Sequence, residues 1–165
     1  MLLEAALTLE IQRTNPKVPT PTAQDYTRWV LEQAQERDID PWVFHAIIHI
    51  ESRWSYWAFR KEQDGTCSVG LGQINVKCDS PRAKELKDAH TNILAMGEFL
   101  GHLKDKCHQK CDNLRWVIPY NAGNPEYIGW VRKRVGDEHA RYPQPPLPDL
   151  QTGVYVEGLW RNEND

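Results

Sequence analysis

Apolar residues recur at helical spacing in four stretches of the chain, each with a start signal in front of it. Thr22 precedes a predicted helix of about residues 23–37 that carries Tyr26, Trp29, Val30 and Ala34 on one face. Asp40-Pro41 opens a second, with Asp as the cap and Pro at the first helical position. Its stripe of Val43, Ala46, Ile47 and Ile50 faces the core, and Glu51 falls in the last turn beside that stripe. Thr91 caps a third with Ile93, Met96, Gly97, Leu100 and Leu103, and Ser80-Pro81 marks a shorter helix before it. Asn124-Pro125 starts a fourth with Tyr127, Ile128, Val131 and Val135 inward and Gly136 as its stop.

The remaining segments lack that period. Residues 60–75 hold Asp64-Gly65-Thr66 and the glycines Gly70 and Gly72, which predicts irregular backbone with a short hairpin and a close approach to something. Pro16, Pro19 and Pro21 close an N-terminal stretch, residues 1–21, that reads as an arm. Four prolines and a polar end make residues 143–165 a tail that packs little. Residues 22–142 are then one mainly α domain.

At 165 residues one domain can bury a real core, and 40% apolar with 26% charged residues is ordinary globular composition. Seven Trp and eleven Pro are high for the length, so exposed aromatics are expected. A formal charge of −3 with scattered basic residues excludes the positive field that nucleic acid or an anionic membrane requires, and an uncharged polymer suits the chain better. The longest apolar stretch, near residues 42–50, is broken by His45 and His49 and is too short to span a bilayer. The first seven residues resemble a secretory signal only faintly, without a basic leader and with Glu4 among them, so export by another route, or a signal already removed, is expected.

Cysteines at 67, 78, 107 and 111 permit disulfides in an oxidising compartment. A Cys67–Cys78 loop bridge is one reading; a structural zinc at Cys107 and Cys111, with His108 between them, is a less favoured one because the spacing fits no standard knuckle. His45 and His49 stand at i and i+4, but Ala46 occupies the Glu position of a zinc-protease helix, so neither a metal nor another cofactor is expected.

The candidate chemistry centres on Glu51. A carboxyl carried on the apolar run of residues 47–50 is disfavoured as an anion and can stay protonated near neutrality, which is what a general acid needs. A lone Glu at a helix end is usually a solvated charge, but Glu51 has company. Gly70-Leu71-Gly72-Gln73-Ile74 and Tyr120-Asn121-Ala122-Gly123 come after it in order. Together with Ser68, and with Asn92-Ile93, Gly97 and Leu100, these segments resemble the soluble lytic transglycosylase family of peptidoglycan-cleaving enzymes.

The resemblance implies a lysozyme-like fold with a sugar cleft, Glu51 as sole acid and base, and Gly70, Leu71 and Gln73 as the cleft floor. It also implies that Tyr120 hydrogen-bonds the Glu51 carboxylate, with Asn121 beside it, and that Ser68, Gln73 and Asn121 bind sugar. Two departures stand out: Gly72 replaces the usual Met, which is expected to widen the site or shift preference among subsites, and Pro119 replaces the usual Ala. The expected reaction is cleavage of the MurNAc-β-1,4-GlcNAc bond with closure of a 1,6-anhydro ring, by a monomer acting on glycan strands in the periplasm or cell wall. Asp64 keeps a hydrolytic alternative open, because goose-type lysozymes carry an Asp in this loop. A non-catalytic wall-binding subunit is the alternative from another class. The loop lettering also resembles members serving secretion systems, pili and phages, which makes such an apparatus or a phage particle the expected partner.

Overall fold

The computed structural model describes residues 2–107 and 112–143. Six α-helices, a 3-10 helix and one small sheet follow in the order α1 (Leu3–Thr14), α2 (Thr20–Glu36), α3 (Pro41–Ser52), β1 (Phe59–Lys61), β2 (Thr66–Val69), β3 (Ile74–Lys77), α4 (Pro81–Glu85), α5 (Ala89–Lys106), the 3-10 helix (Asp112–Asn121) and α6 (Pro125–Arg141). The fold is mainly α, as the periodicity predicts.

Helix α3 is the axis of the molecule. Asp40 caps it by accepting from the Trp42 amide at 2.9 Å, and Pro41 occupies its first turn. Residues 42–48 are buried without interruption, so this helix is covered on every side, beyond the single stripe predicted, and carries one polar residue, His45, inside. Helices α1, α2 and α6 pack on it, and α5 lies against α2. Close approach of α5 to α2 depends on Gly97, where a Cβ would lie 2.5 Å from Gln33 Oε1.

The N-terminal stretch is not an arm over its whole length. Residues 3–14 form α1, which buries Ala6, Leu7, Glu10 and Ile11 against α2 and α3. The prolines that suggest irregular chain sit in the connection and the first turn of α2, where Pro is tolerated. Helix α2 accordingly starts at Thr20, two residues ahead of the predicted cap at Thr22. Helix α5 is capped by Asp88, whose carboxylate accepts from the Thr91 amide at 2.8 Å, so Thr91 lies inside the helix. Helix α6 continues through Gly136 to Arg141, held past that point by burial of Val135 and Glu138. Of the predicted tail only Pro143 is described; residues 144–165 lie outside the described residues.

The hairpin predicted near Asp64 is the first half of a three-stranded antiparallel sheet, ordered β1-β2-β3. Arg60 pairs with Ser68 and Ser68 with Asn75, so these polar side chains share one face. Cys67 and Val69 on the other face form a small second core with Leu86 and Ala95. Cys67 and Cys78 are disulfide-bonded, closing the β2–β3 hairpin. Cys107 is disulfide-bonded as well, so its sulfur is not a thiolate ligand and the zinc reading fails; His108 and Cys111 lie outside the described residues.

Candidate active site

A cleft of about 660 Å³ opens between the polar face of the sheet and the helical body, lined by Glu51, Arg60, Glu62, Ser68, Gln73, Asn75, Glu98, Phe99, Tyr120 and Asn121, among others. Helix α3 brings Glu51 to its base; the sheet forms one wall, and α5 with the end of the 3-10 helix forms the other.

Glu51 is half-buried at the last turn of α3, and burial raises its pKa above the ordinary carboxyl value. Three groups oppose that shift. Tyr127, Asn121 and, at longer range, Arg60 each favour the anion. The Asn121 amide donates to Oε1 at 3.4 Å, a long bond. Among the described residues the buried Tyr127 hydroxyl meets no partner at full hydrogen-bond geometry, yet its proximity to Glu51 stabilises the carboxylate, and burial together with that negative charge raises the phenol's own pKa.

Tyr120 lines the cleft but does not donate to Glu51. Its hydroxyl donates to the Gly72 carbonyl at 2.7 Å, so the bond that the resemblance implied goes to the glycine turn; Tyr120 feels the Glu51 charge at longer range, and Tyr127 is the tyrosine whose hydroxyl favours the Glu51 anion. Tyr120 and Tyr127 stack at 6.4 Å with ring planes 7° apart, so the cleft-lining ring of Tyr120 lies against that of buried Tyr127. The same contact explains Gly72. A Cβ there would lie 2.8 Å from the Tyr120 hydroxyl and 3.3 Å from Met96 Sδ, so the space a side chain would take holds Tyr120.

The glycine turn hangs on Asn92, a fully buried side chain of α5. Its Oδ1 accepts from the Gly72 amide and its Nδ2 donates to the carbonyls of Val69 and Leu86, each at 2.8 Å. Gly70, at φ +75°, must be glycine for two reasons: the left-handed backbone, and an Asn92 Nδ2 that would sit 2.2 Å from a Cβ. Leu71 is fully buried beneath the turn and contributes packing; neither it nor Gly70 reaches the cleft. Gln73 does reach it, held at φ 49° by amide bonds to the carbonyls of Gly70 (2.9 Å) and Ala58 (3.1 Å).

Ser68 lines the cleft and donates to Glu62 Oε1 at 3.2 Å; Arg60 Nε donates to the same oxygen at 2.6 Å. Asp64, the carboxylate expected for a hydrolytic route, does not line the cleft. It is fully exposed at the tip of the β1–β2 hairpin, where its Oδ1 accepts from the Thr66 amide and hydroxyl, and those bonds lower its pKa. The second acid facing the cleft from this loop is Glu62. Hydrophobic periodicity reads Tyr127 only as a core residue and does not single out Glu62 or Arg60; the signal available for those two was strand alternation through residues 60, 62 and 68.

Trp54 is buried and stacks on Tyr26 at 5.8 Å, while exposed Tyr56 and Trp57 lie outside the cleft lining. Among the described residues no helix is long and apolar enough to cross a membrane.

Neither curated proteins nor solved structures give a match to this chain. A family model does: the Transglycosylase SLT domain matches residues 28–142, from within α2 through the end of α6, and so takes in every cleft residue described above. That match spans well over half of the sequence, and the chain belongs to the Transglycosylase SLT domain family.

Proposed function

We propose that this domain is a peptidoglycan lytic transglycosylase in which Glu51 is general acid and then general base. Family membership supports peptidoglycan cleavage in general; the step assigned to Glu51 rests on its setting. The observation that carries the reading is a carboxyl with a burial-raised pKa at the base of a glycan-sized cleft, flanked by amide and phenol groups.

The chemistry derives from that position. Protonated Glu51 gives its proton to the glycosidic oxygen as the C1–O bond of the muramyl unit breaks, so the leaving sugar departs as an alcohol. The carboxylate left behind takes the proton of the muramyl C6 hydroxyl as that oxygen bonds C1 and closes the 1,6-anhydro ring. Proton and charge return to their starting state without water. Asn121 and Tyr127 stabilise the carboxylate between the two transfers, and the amide of Gln73 and hydroxyl of Ser68 are placed to hold sugar. Tyr120 acts at one remove, fixing the Gly72 carbonyl and with it the turn.

Glu51→Gln keeps the shape of the side chain and removes its proton. Release of muropeptides from purified sacculi should fall about 10²–10⁴-fold, with the circular dichroism spectrum unchanged. Activity within tenfold of the parent would remove Glu51 from this role. Mass spectrometry of the parent's products should show anhydro ends, one water lighter than hydrolysed ends and resistant to borohydride. The proposed place of action is the periplasm or cell wall, and the loop lettering supports service to a phage particle or a secretion or pilus apparatus.

A further inference from the structure

Three carboxylates line the cleft: Glu51 at its base, Glu62 on the sheet wall and Glu98 on α5. Glu98 is exposed, and no bond orients it among the described residues. Glu62 is different. Its backbone amide donates to the Thr66 carbonyl at 2.8 Å, anchoring the main chain at the end of β1. Its Oε1 accepts from both Arg60 and Ser68, whereas Oε2 has no partner among the described residues. One oxygen is thus clamped and the other is left for a ligand.

The pairing register explains why. Arg60 lies opposite Ser68 across the β1–β2 ladder, so both side chains rise from the cleft face next to Glu62. Arg60 is also close enough to Glu51 to favour its anion, which places the Arg60–Glu62 pair in the same electrostatic neighbourhood as the proposed acid. A carboxylate oriented through one oxygen, lining the same cavity as the proposed acid Glu51, is an arrangement that can activate water.

We propose that Glu62 is a second catalytic carboxylate, which opens a hydrolytic branch beside ring closure, with Arg60 and Ser68 as its positioning residues. In that branch Glu62 Oε2 takes a proton from a water whose oxygen bonds C1 of the muramyl unit. The C1–O bond to the leaving sugar breaks, its electron pair stays with that oxygen, and Glu51 supplies the proton. Water has then been added across the bond. Proton exchange with solvent returns Glu51 to the acid and Glu62 to the anion. The inference rests on the assignment of Glu51 above, and it gives the hydrolytic role to Glu62 where the sequence alone points to Asp64.

The test is product partition on purified sacculi with the full chain. Borohydride reduction followed by mass spectrometry counts new hydrolysed ends and anhydro ends separately. The parent should form both, and Glu62→Gln should lower hydrolysed ends at least tenfold while anhydro ends stay within about threefold. Ser68→Ala should lower the hydrolysed share in the same direction, and Asp64→Asn and Glu98→Gln should leave the partition unchanged. The inference is overturned if Glu62→Gln leaves the ratio of the two ends as in the parent, or if the parent forms no hydrolysed ends. Absence of any cleaved product from the parent would instead sink the transglycosylase reading, and this inference with it. Glu62 keeps about a third of its side-chain surface in solvent, so Gln is readily accommodated, and equal melting temperatures would verify it.

Discussion

Tyr127 lies on the inward face of α6, where hydrophobic spacing reads it as a core residue, and it is fully buried. The fold turns that burial to another use, because α6 packs against α3 and brings the phenol to Glu51. The hydroxyl lowers a pKa that desolvation has raised, so removing it lets the pKa rise further. A general acid loses activity as pH rises through its pKa. Tyr127→Phe should therefore move the alkaline limb of the pH–activity profile to higher pH. Its melting temperature should not fall, since the buried hydroxyl has no full hydrogen bond to lose. An unmoved or acid-shifted limb would separate Tyr127 from the carboxyl. Glu51, Gln73 and Asn121 were legible in the sequence because each sits in a short local motif that fixes its own backbone. Tyr127 and Glu62 were not, because their approach to the site depends on helix packing and strand pairing between segments far apart in the chain.

Helix α1 meets the same limit at the level of a whole element. Periodicity over residues 1–21 is masked by three prolines, which read as arm chemistry in the sequence but serve as connection and helix start. The support of α1 is tertiary: Leu7 and Ile11 are fully buried, and Thr8 Oγ1 meets Thr27 Oγ1 of α2 at 2.9 Å. Leu7→Ala should cost about 2–5 kcal/mol in urea unfolding, as for other large-to-small core changes. A cost near zero would restore the arm reading. Helices α2, α3, α5 and α6 were legible because each has enough turns for its stripe to repeat. The sheet was only half legible, since β1 and β3 are short and mostly solvent-exposed, and a three- or four-residue strand carries little alternation.

At the scale of the whole molecule, α1 and α6 are joined by a network of ion pairs around two buried carboxylates, far from the expectation of a simple apolar core. Glu10 is fully buried, and its two oxygens accept from Arg13, Arg141 and the Tyr142 hydroxyl; Arg141 also bonds buried Glu138. His45 of α3 faces this network, and its ligand atoms with those of Glu10 and Glu138 lie within 4.8 Å of one another. Three guanidiniums, Arg13, Arg134 and Arg141, already lie on the two carboxylates, so the cluster is an ion-pair network with little room for a cation's charge. His45 is fully buried, neither ring nitrogen has a hydrogen-bond partner among the described residues, and desolvation pushes its pKa down to about 3. The sign of the linkage is then set: as pH falls below about 6.5 the unfolded chain takes up a proton that folded His45 refuses, so stability drops until about pH 3. His49, lowered to about 4, adds a slope of the same sign. Each histidine can remove up to ~1.4 kcal/mol per pH unit across its window. Glu10, whose pKa is lowered from 4.5, acts in the same direction only below that value, whereas burial raises Glu51 and Glu138 above it and gives them a slope of opposite sign, so over the interval from pH 6.5 to 4.5 it is the difference between parent and variant that isolates His45. His45→Leu removes one of them without deleting a hydrogen bond. Its stability measured by urea unfolding should fall less steeply than the parent's across that interval, and parallel curves would place His45 outside the acid response.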